Sequence, residues 1–351
     1  MVVVPGFGGS CLVPTKGAQT GNSWLTPRAL LDPWAWVRIN AVEYTRGREF
    51  VSLGQKLEAS GFGTEDGVCD LCPDASALSS ALRLAGAGML PMHARYFAPL
   101  RDALRQGGVS RMYSAPYDFR RILDARVLAA YRLDLVGLIE RAVMEAGGRR
   151  SVLVTHSMGS VLANHLLLTD PEWLKRNVAY VVDVCPNSEG SVLALDGMLN
   201  GRLCVGGANG RLCVGGARGG MKDSVRRMSR NNAGLILSLP YPMLLDYEGL
   251  VGDAWRTHAE PIMASLRPPG LPGDVGHVLI HGVGHDTPTS IGAGGELAGM
   301  ADGDGVVLRA SDACPSRLVG PDSLVIQTGM SHSAAPSSAL VAGLVRVLTS
   351  V

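Results

Sequence analysis

The sequence predicts an α/β fold, a mostly parallel β-sheet covered by helices on both faces. Three observations predict it. Short apolar, β-branched runs alternate along the chain with longer stretches whose apolar residues recur at helical spacing. The stretch Arg149 to Leu168, "RRSVLVTHSMGSVLANHLLL", passes from one such run through a sharp turn straight into a helix. With 46% apolar and 18% charged residues among 351, the chain has material for a large buried core.

In chain order, "VVVPGFGGS" reads as a short buried strand ending in a Gly/Pro turn. Asn22 to Asn40 concentrates Trp24, Trp34 and Trp36 around prolines, and Gly61 to Pro73 reads as loop. One or two helices are expected in "ALRLAGAGMLPMHARYFAPLRDALRQGG", the second from about Pro91 and closed by Gly107-Gly108, and then a strand in "VSRMYSAPYDFR" that breaks at Pro116. "LAAYRLDLVGLIERAVMEAGG" has helical spacing and stops at Gly147-Gly148. Ser151 to Thr155 is the next strand, followed by a helix to about Leu168 and a strand in "NVAYVVDVCP". Between Asn187 and Pro272 the pattern loosens around two adjoining copies of "NGRLCVGGA". Two nonapeptides are too few for a stacked repeat, so they predict a glycine-rich surface loop. "GHVLIHGVG" and "DSLVIQTGMSH" are further strands, and "PSSALVAGLVRVLTSV" is a closing helix with Pro336 near its start.

Bulk properties narrow the function classes. A net charge of +1 with scattered arginines gives no basic stripe for nucleic acid. The seven cysteines (Cys11, Cys69, Cys72, Cys185, Cys204, Cys213 and Cys314) are odd in number and widely spaced, unlike a disulfide scaffold. Cys69 and Cys72 have no second ligand pair at zinc spacing, so no metal is expected. No secretory signal or membrane span of about 20 apolar residues is legible, which predicts a soluble or peripheral protein. The abrupt opening on "MVVVPGFGGS" also permits a second reading, a missing N-terminus with a lumenal or secretory location.

The chemistry centres on Ser157. A nucleophilic serine on a strand-to-helix turn needs small neighbours, usually as G-x-S-x-G, and here Gly159 fills one position while Thr155 stands at the other. The plain alternative is a serine capping a core helix. A serine hydroxyl needs a base and the base an orienting carboxylate, which follow in the order acid then histidine when the fold is that of an α/β-hydrolase. Downstream, "GMADGDGVVL" offers Asp302 and Asp304, and "QTGMSHSAAP" offers His332 between a strand and the closing helix. Asp304 with His332 is preferred, and Asp183 with His285 stays open as the rival pair.

These blocks together resemble the lecithin:cholesterol acyltransferase-like family, with its phospholipase A2 and phospholipid:diacylglycerol acyltransferase relatives. "VVVPGFGGS" is similar to the family's opening strand and oxyanion turn, "SAPYDFR" to its A-P-Y-D-W-R block, and "VTHSMGS" to its H-S-M-G elbow. "HGVGHDTP", "DGDGVV" and "MSH" resemble the later blocks carrying acid and histidine. Where the family has G-A-P-W-G-G, this chain reads "DVCPNSEGS". Cys314 lies where some secreted members place a cysteine, but "GHVLIHGVG" offers it no partner.

The resemblance implies Ser157 as nucleophile, Asp304 as acid, His332 as base, and the N–H groups of Phe7 and Met158 as oxyanion hole. It implies an α/β-hydrolase core in two parts, residues 1–186 and 273–351, around a cap or lid insertion at 187–272, with 22–60 as a lipid-contact subdomain. The implied activity is O-acyl transfer from a phospholipid to a lipid alcohol or to water, through an acyl-enzyme and without a cofactor. A phospholipase or esterase is the alternative outcome, and a non-catalytic binding module a further one. Trp24, Trp34 and Trp36 suit contact with lipid at a membrane or particle surface, or core packing beside prolines.

Overall fold

Six strands form one sheet in the order β14-β11-β8-β7-β1-β6, every neighbouring pair parallel. They are β1 (Val2–Val4), β6 (Tyr113–Ser114), β7 (Ser151–His156), β8 (Val178–Val184), β11 (Gly276–Gly282) and β14 (Leu324–Thr328). The computed structural model describes residues 1–15, 33–54, 56–65, 67–68, 96–108, 111–205, 212–215, 219–241, 245–266, 271–309 and 323–350. Trp24, Cys69, Cys72 and Cys314 lie outside these residues, as does the side chain of Trp36.

Alternation along the strands explains the two layers. Val2, Val4, Leu153, Val181 and Leu279 point into one core, with Leu135 and Ile139 of helix α3 (Ala125–Glu145) and Val161 and Leu162 of helix α4 (Met158–Leu167). Val3, Val152, Val154, Val182, Val184, Val278 and Ile280 point into the other. That second core is closed by Leu100 and Leu104 of helix α2 (Ala98–Gln106) and by Val341 and Val345 of the closing helix α11 (Ala339–Ser350). Because both faces are covered, the strands carry apolar residues at consecutive positions. Asp124 starts α3 as expected of an N-cap, its carboxylate accepting the N–H of Arg126 and Val127.

Between β8 and β11 lie helices α6 (Val192–Asn200), α7 (Gly219–Asn231) and α8 (Ala233–Leu237). The tandem nonapeptide is not a loop here. Its two R-L-C-V-type cores form an antiparallel hairpin, β9 (Arg202–Val205) with β10 (Leu212–Gly215), placing Cys204 opposite Cys213 in the backbone register. The continuous Leu-Cys-Val run in each copy, ending on β-branched Val, outweighs the flanking glycines. Trp34 stands on helix α1 (Pro33–Asn40), 45% exposed, with its ring edge facing Gly220 of α7. A further hairpin, β12 (His285–Ile291) with β13 (Leu297–Gly303), leaves the C-terminal end of β11 and delivers Asp304. Among the described residues, no helix is long and apolar enough to cross a membrane.

Candidate active site

Ser157 occupies the single-residue turn between β7 and α4, with φ 54° and ψ −127°. That is a strained conformation for a residue with a Cβ, and backbone contacts hold it in place. The Ser157 N–H donates to Val184 O at 3.0 Å, and its carbonyl accepts from Ser160 N at 3.0 Å and Asn187 N at 3.2 Å. The turn also requires Gly159, because a Cβ there would collide with the backbone carbonyl of Pro5 as β1 crosses the elbow.

Three side chains from three distant segments converge at this turn. His332 Nε2 is 2.8 Å from Ser157 Oγ, and His332 Nδ1 is 2.7 Å from Asp304 Oδ2. All three are nearly sealed from solvent, with exposures of 7%, 8% and 2% for Ser157, His332 and Asp304. The other oxygen of Asp304 accepts from Val306 N at 2.9 Å and Val307 N at 2.7 Å, which fixes the carboxylate plane. Backbone contact reinforces the pair, since the His332 N–H donates to Asp304 O at 2.9 Å. Burial pushes the Asp304 carboxyl up, but the His332 charge and hydrogen bond and the Val306 and Val307 amides outweigh it and hold the group below the usual carboxylate range. With Asp304 ionised, Nδ1 of His332 carries the proton that it donates, and Nε2 is left to accept from the Ser157 hydroxyl.

The turn after β1 packs against the elbow. Gly9 N–H donates to Gly6 O at 3.0 Å, closing four residues with Phe7 and Gly8 at the centre. Gly8 has φ 72°, the third-position value of a type II turn that a side chain would strain. Phe7 therefore sits at the second position, whose N–H the turn does not use. Met158 is the first residue of α4, where no intrahelical acceptor exists for the N–H. The "SAPYDFR" block braces this turn. Tyr117 O–H donates to Pro5 O at 2.9 Å, and Tyr117 N–H to Ser10 Oγ at 2.9 Å. Fully buried Arg120 is held by both oxygens of Asp118, at 2.9 and 2.8 Å, and donates to Ile39 O at 2.9 Å.

The rival pair does not meet. Asp183 is fully buried beneath the elbow and takes hydrogen bonds from Thr155 Oγ1, from Asn164 Nδ2 at 3.1 and 3.2 Å, and from His277 Nε2 at 2.9 Å. His285 reaches Gly329 O at 3.1 Å instead. Asp302 is on the hairpin surface, held by Gly284 N–H at 2.6 Å and Arg309 at 3.3 Å. This network also accounts for Thr155 where the elbow usually has glycine, since its hydroxyl serves Asp183 and lies 2.6 Å from Ser160 Oγ.

Three neighbours of the site carry no periodic signal in the sequence. Tyr96 O–H lies 2.6 Å from His156 Nδ1, and His156 Nε2 lies 3.0 Å from His332 O. Cys185, with φ 46°, directly follows β8 beside Asp304. Burial and that carboxylate push its thiol well up, so it remains protonated. Cys185, Asp304 and His332 are, among the described residues, the group whose ligand-type atoms could gather round a metal ion. Asp304 and His332 are already committed to each other and to Ser157, and a protonated thiol is a poor ligand.

Residues 92–204, which include Tyr96, Asp118, Arg120 and Ser157, match the profile of the lecithin:cholesterol acyltransferase family. A protein of Oryza sativa subsp. japonica, lecithin-cholesterol acyltransferase-like 1, is 36% identical over 103 residues, which are 28% of this chain and 23% of the relative. Its namesake in Arabidopsis thaliana is 32% identical over 84 residues, 22% of this chain and 19% of the relative. The matched stretch thus spans less than a quarter of either relative's length. In three dimensions, the Tle4-Tli4 complex contains a chain that aligns over 99% of this one and 97% of its own length, with a TM-score of 0.54 at 14% identity, a likeness of fold. Within residues 92–204 the chain is similar to the lecithin:cholesterol acyltransferase family, and its architecture is that of the α/β-hydrolase fold.

Proposed function

We propose that the protein is a serine-dependent lipid acyltransferase that works through an acyl-enzyme on the acyl esters of a phospholipid. The observation that carries this reading is the hydrogen-bonded chain Ser157–His332–Asp304 at a strained elbow. His332 Nε2 takes the proton as Ser157 Oγ attacks the ester carbonyl, and Asp304 stabilises the imidazolium that forms. The N–H groups of Phe7 and Met158 receive the developing oxyanion, each contributing about 2.7–4 kcal/mol to the transition state. His332 returns the proton to the leaving lysolipid oxygen, and Ser157 keeps the acyl group. A lipid alcohol then accepts it, or water does, in which case the same site is a phospholipase.

The segment 187–272 serves as the cap. In support, α8 lies on the oxyanion turn: Gly234 N–H donates to Phe119 O at 2.8 Å, and a Cβ on Gly234 would fall 2.8 Å from the Phe7 ring. Peripheral attachment to a lipid surface follows from the substrate, and Trp34 on α1 is 45% exposed.

The test is incubation with vesicles of labelled phospholipid containing a sterol or diacylglycerol acceptor. Acylated acceptor in excess of free fatty acid supports the transferase, and free fatty acid alone makes the protein a phospholipase. Covalent labelling of Ser157 by a fluorophosphonate, absent in Ser157→Ala, is expected in either case. A wild type that neither labels nor turns over lipid would leave a binding module.

A further inference from the structure

We propose that His156 and Tyr96 are positioning residues, which lock the oxyanion turn and the base into one frame through a hydrogen-bond chain of fixed direction. The proposal rests on the reading of Ser157 and His332 given above. The direction follows from what each atom can do. A carbonyl only accepts, so the 3.0 Å contact with His332 O puts a proton on His156 Nε2. Gly6 N–H only donates, so at 2.9 Å it occupies a lone pair of the Tyr96 hydroxyl. That leaves the Tyr96 O–H to donate to His156 Nδ1 across 2.6 Å. The chain then runs in one direction, from Gly6 through Tyr96 and His156 to His332.

The ends of this chain are the parts that must not move relative to one another. Gly6 precedes Phe7 in the oxyanion turn and packs directly on Ser157, where a Cβ would fall 2.7 Å from the serine Cβ. At the other end, His156 fixes the His332 backbone while its ring lies 4.8 Å, centroid to centroid, from the His332 ring. Tyr96 and His156 are 6% and 5% exposed, and the rings of Tyr96 and Phe97 pack edge-on against His156. Water therefore does not compete for these bonds, and burial raises the Tyr96 phenol far above its ordinary range, keeping it a donor. A neutral His156 also avoids a second positive ring against His332 when that base becomes an imidazolium.

The test uses the full chain labelled with 15N-histidine, together with Tyr96→Phe, which deletes one oxygen, and His156→Phe, which keeps a ring. Long-range 1H–15N correlation at neutral pH should show His156 as the neutral Nε2–H form, with its Nδ1 signal moving toward that of an unbonded imine nitrogen in Tyr96→Phe. On a soluble short-chain chromogenic ester, kcat should fall about 10- to 100-fold in both variants with KM changed less than about twofold, because misplacement acts on the transition state. Urea midpoints establish that the variants are folded. An Nδ1–H or cationic His156 in the wild type, or kcat within about twofold in a folded Tyr96→Phe, overturns the proposal. A wild type inert towards ester and fluorophosphonate, with the Nε2–H form intact, overturns the enzymatic reading and any kinetic role with it.

Discussion

Asp304 meets His332 twice, through a 2.7 Å side-chain bond to Nδ1 and through a 2.9 Å backbone bond from the His332 amide. The two bonds divide the work, with the backbone setting the position of the loop and the carboxylate setting the tautomer. Asp304→Asn keeps the first and loses the second, because an amide has no charge with which to hold the Nδ1–H form. The expected outcome is a fall in kcat of roughly 10³- to 10⁴-fold with a much smaller change in KM. Stopped assays on a soluble ester measure it. A loss smaller than about tenfold would show that some other group orients the base.

The same carboxylate makes stability depend on pH. Burial raises the Asp304 carboxyl, but His332 and the Val306 and Val307 amides together bring it below the ordinary value. A group depressed on folding stabilises the native state above its unfolded value of about 3.9, and that contribution disappears as pH falls through the folded value. Wild type should therefore exceed Asp304→Asn in urea midpoint at about pH 5, and the gap should close below about pH 4. A gap that widens on acidification contradicts the favourable pairing.

The sheet was legible in the sequence because its strands stand out as short apolar runs, most of them buried on both faces, the edge strand β14 excepted. All six appear where "VVVP", "RMYS", "SVLVT", "VAYVVDV", "GHVLIHG" and "LVIQT" stand. Chain order and loop position favoured Asp304 and His332 over Asp183 and His285, and the fold brings the favoured pair to Ser157. They did not show that Asp183 turns beneath the elbow toward His277, a contact set by which neighbour β11 presents across the sheet. The β12–β13 hairpin was hidden for a different reason. Its residues are polar and half exposed, and Pro288 argues against a strand except at an edge. His156 stood in the H-S-M-G block, but its pairing with Tyr96 was not legible, since it joins residues 60 positions apart.

Thr155 offers a direct test of the departure from the usual elbow. Its hydroxyl is one of the donors that satisfy the fully buried Asp183, alongside Asn164 and His277. Thr155→Val keeps the volume and removes the donor, leaving a buried carboxylate short of one partner. A destabilisation of about 1–3 kcal/mol is expected in urea unfolding. Labelling of Ser157 by fluorophosphonate should persist in the folded fraction, because Asp183 serves the frame and not the reacting atoms. Asp183→Asn should behave alike. Loss of labelling in a fully folded Asp183→Asn would return that residue to the site.

Cys185 tests the burial of the site from the other side. The thiolate is the form that alkylates, and burial, followed by the nearby Asp304 charge, pushes the Cys185 thiol well above its ordinary value. With 1% of its surface exposed, it also lacks a path for reagent. Cys11 lies outside any disulfide and is of intermediate exposure. Treated with iodoacetamide at about pH 8, near the ordinary thiol value of about 8.5, native protein should modify Cys11 well before Cys185. In denaturing urea the two should react at similar rates. Site-resolved mass spectrometry of the peptides distinguishes them, and the protection of Cys185 should vanish along the same urea transition that unfolds the sheet. Rapid native labelling of Cys185 would mean that solvent reaches the back of Asp304, and the carboxylate could not then hold His332 as tightly as the 2.7 Å contact requires.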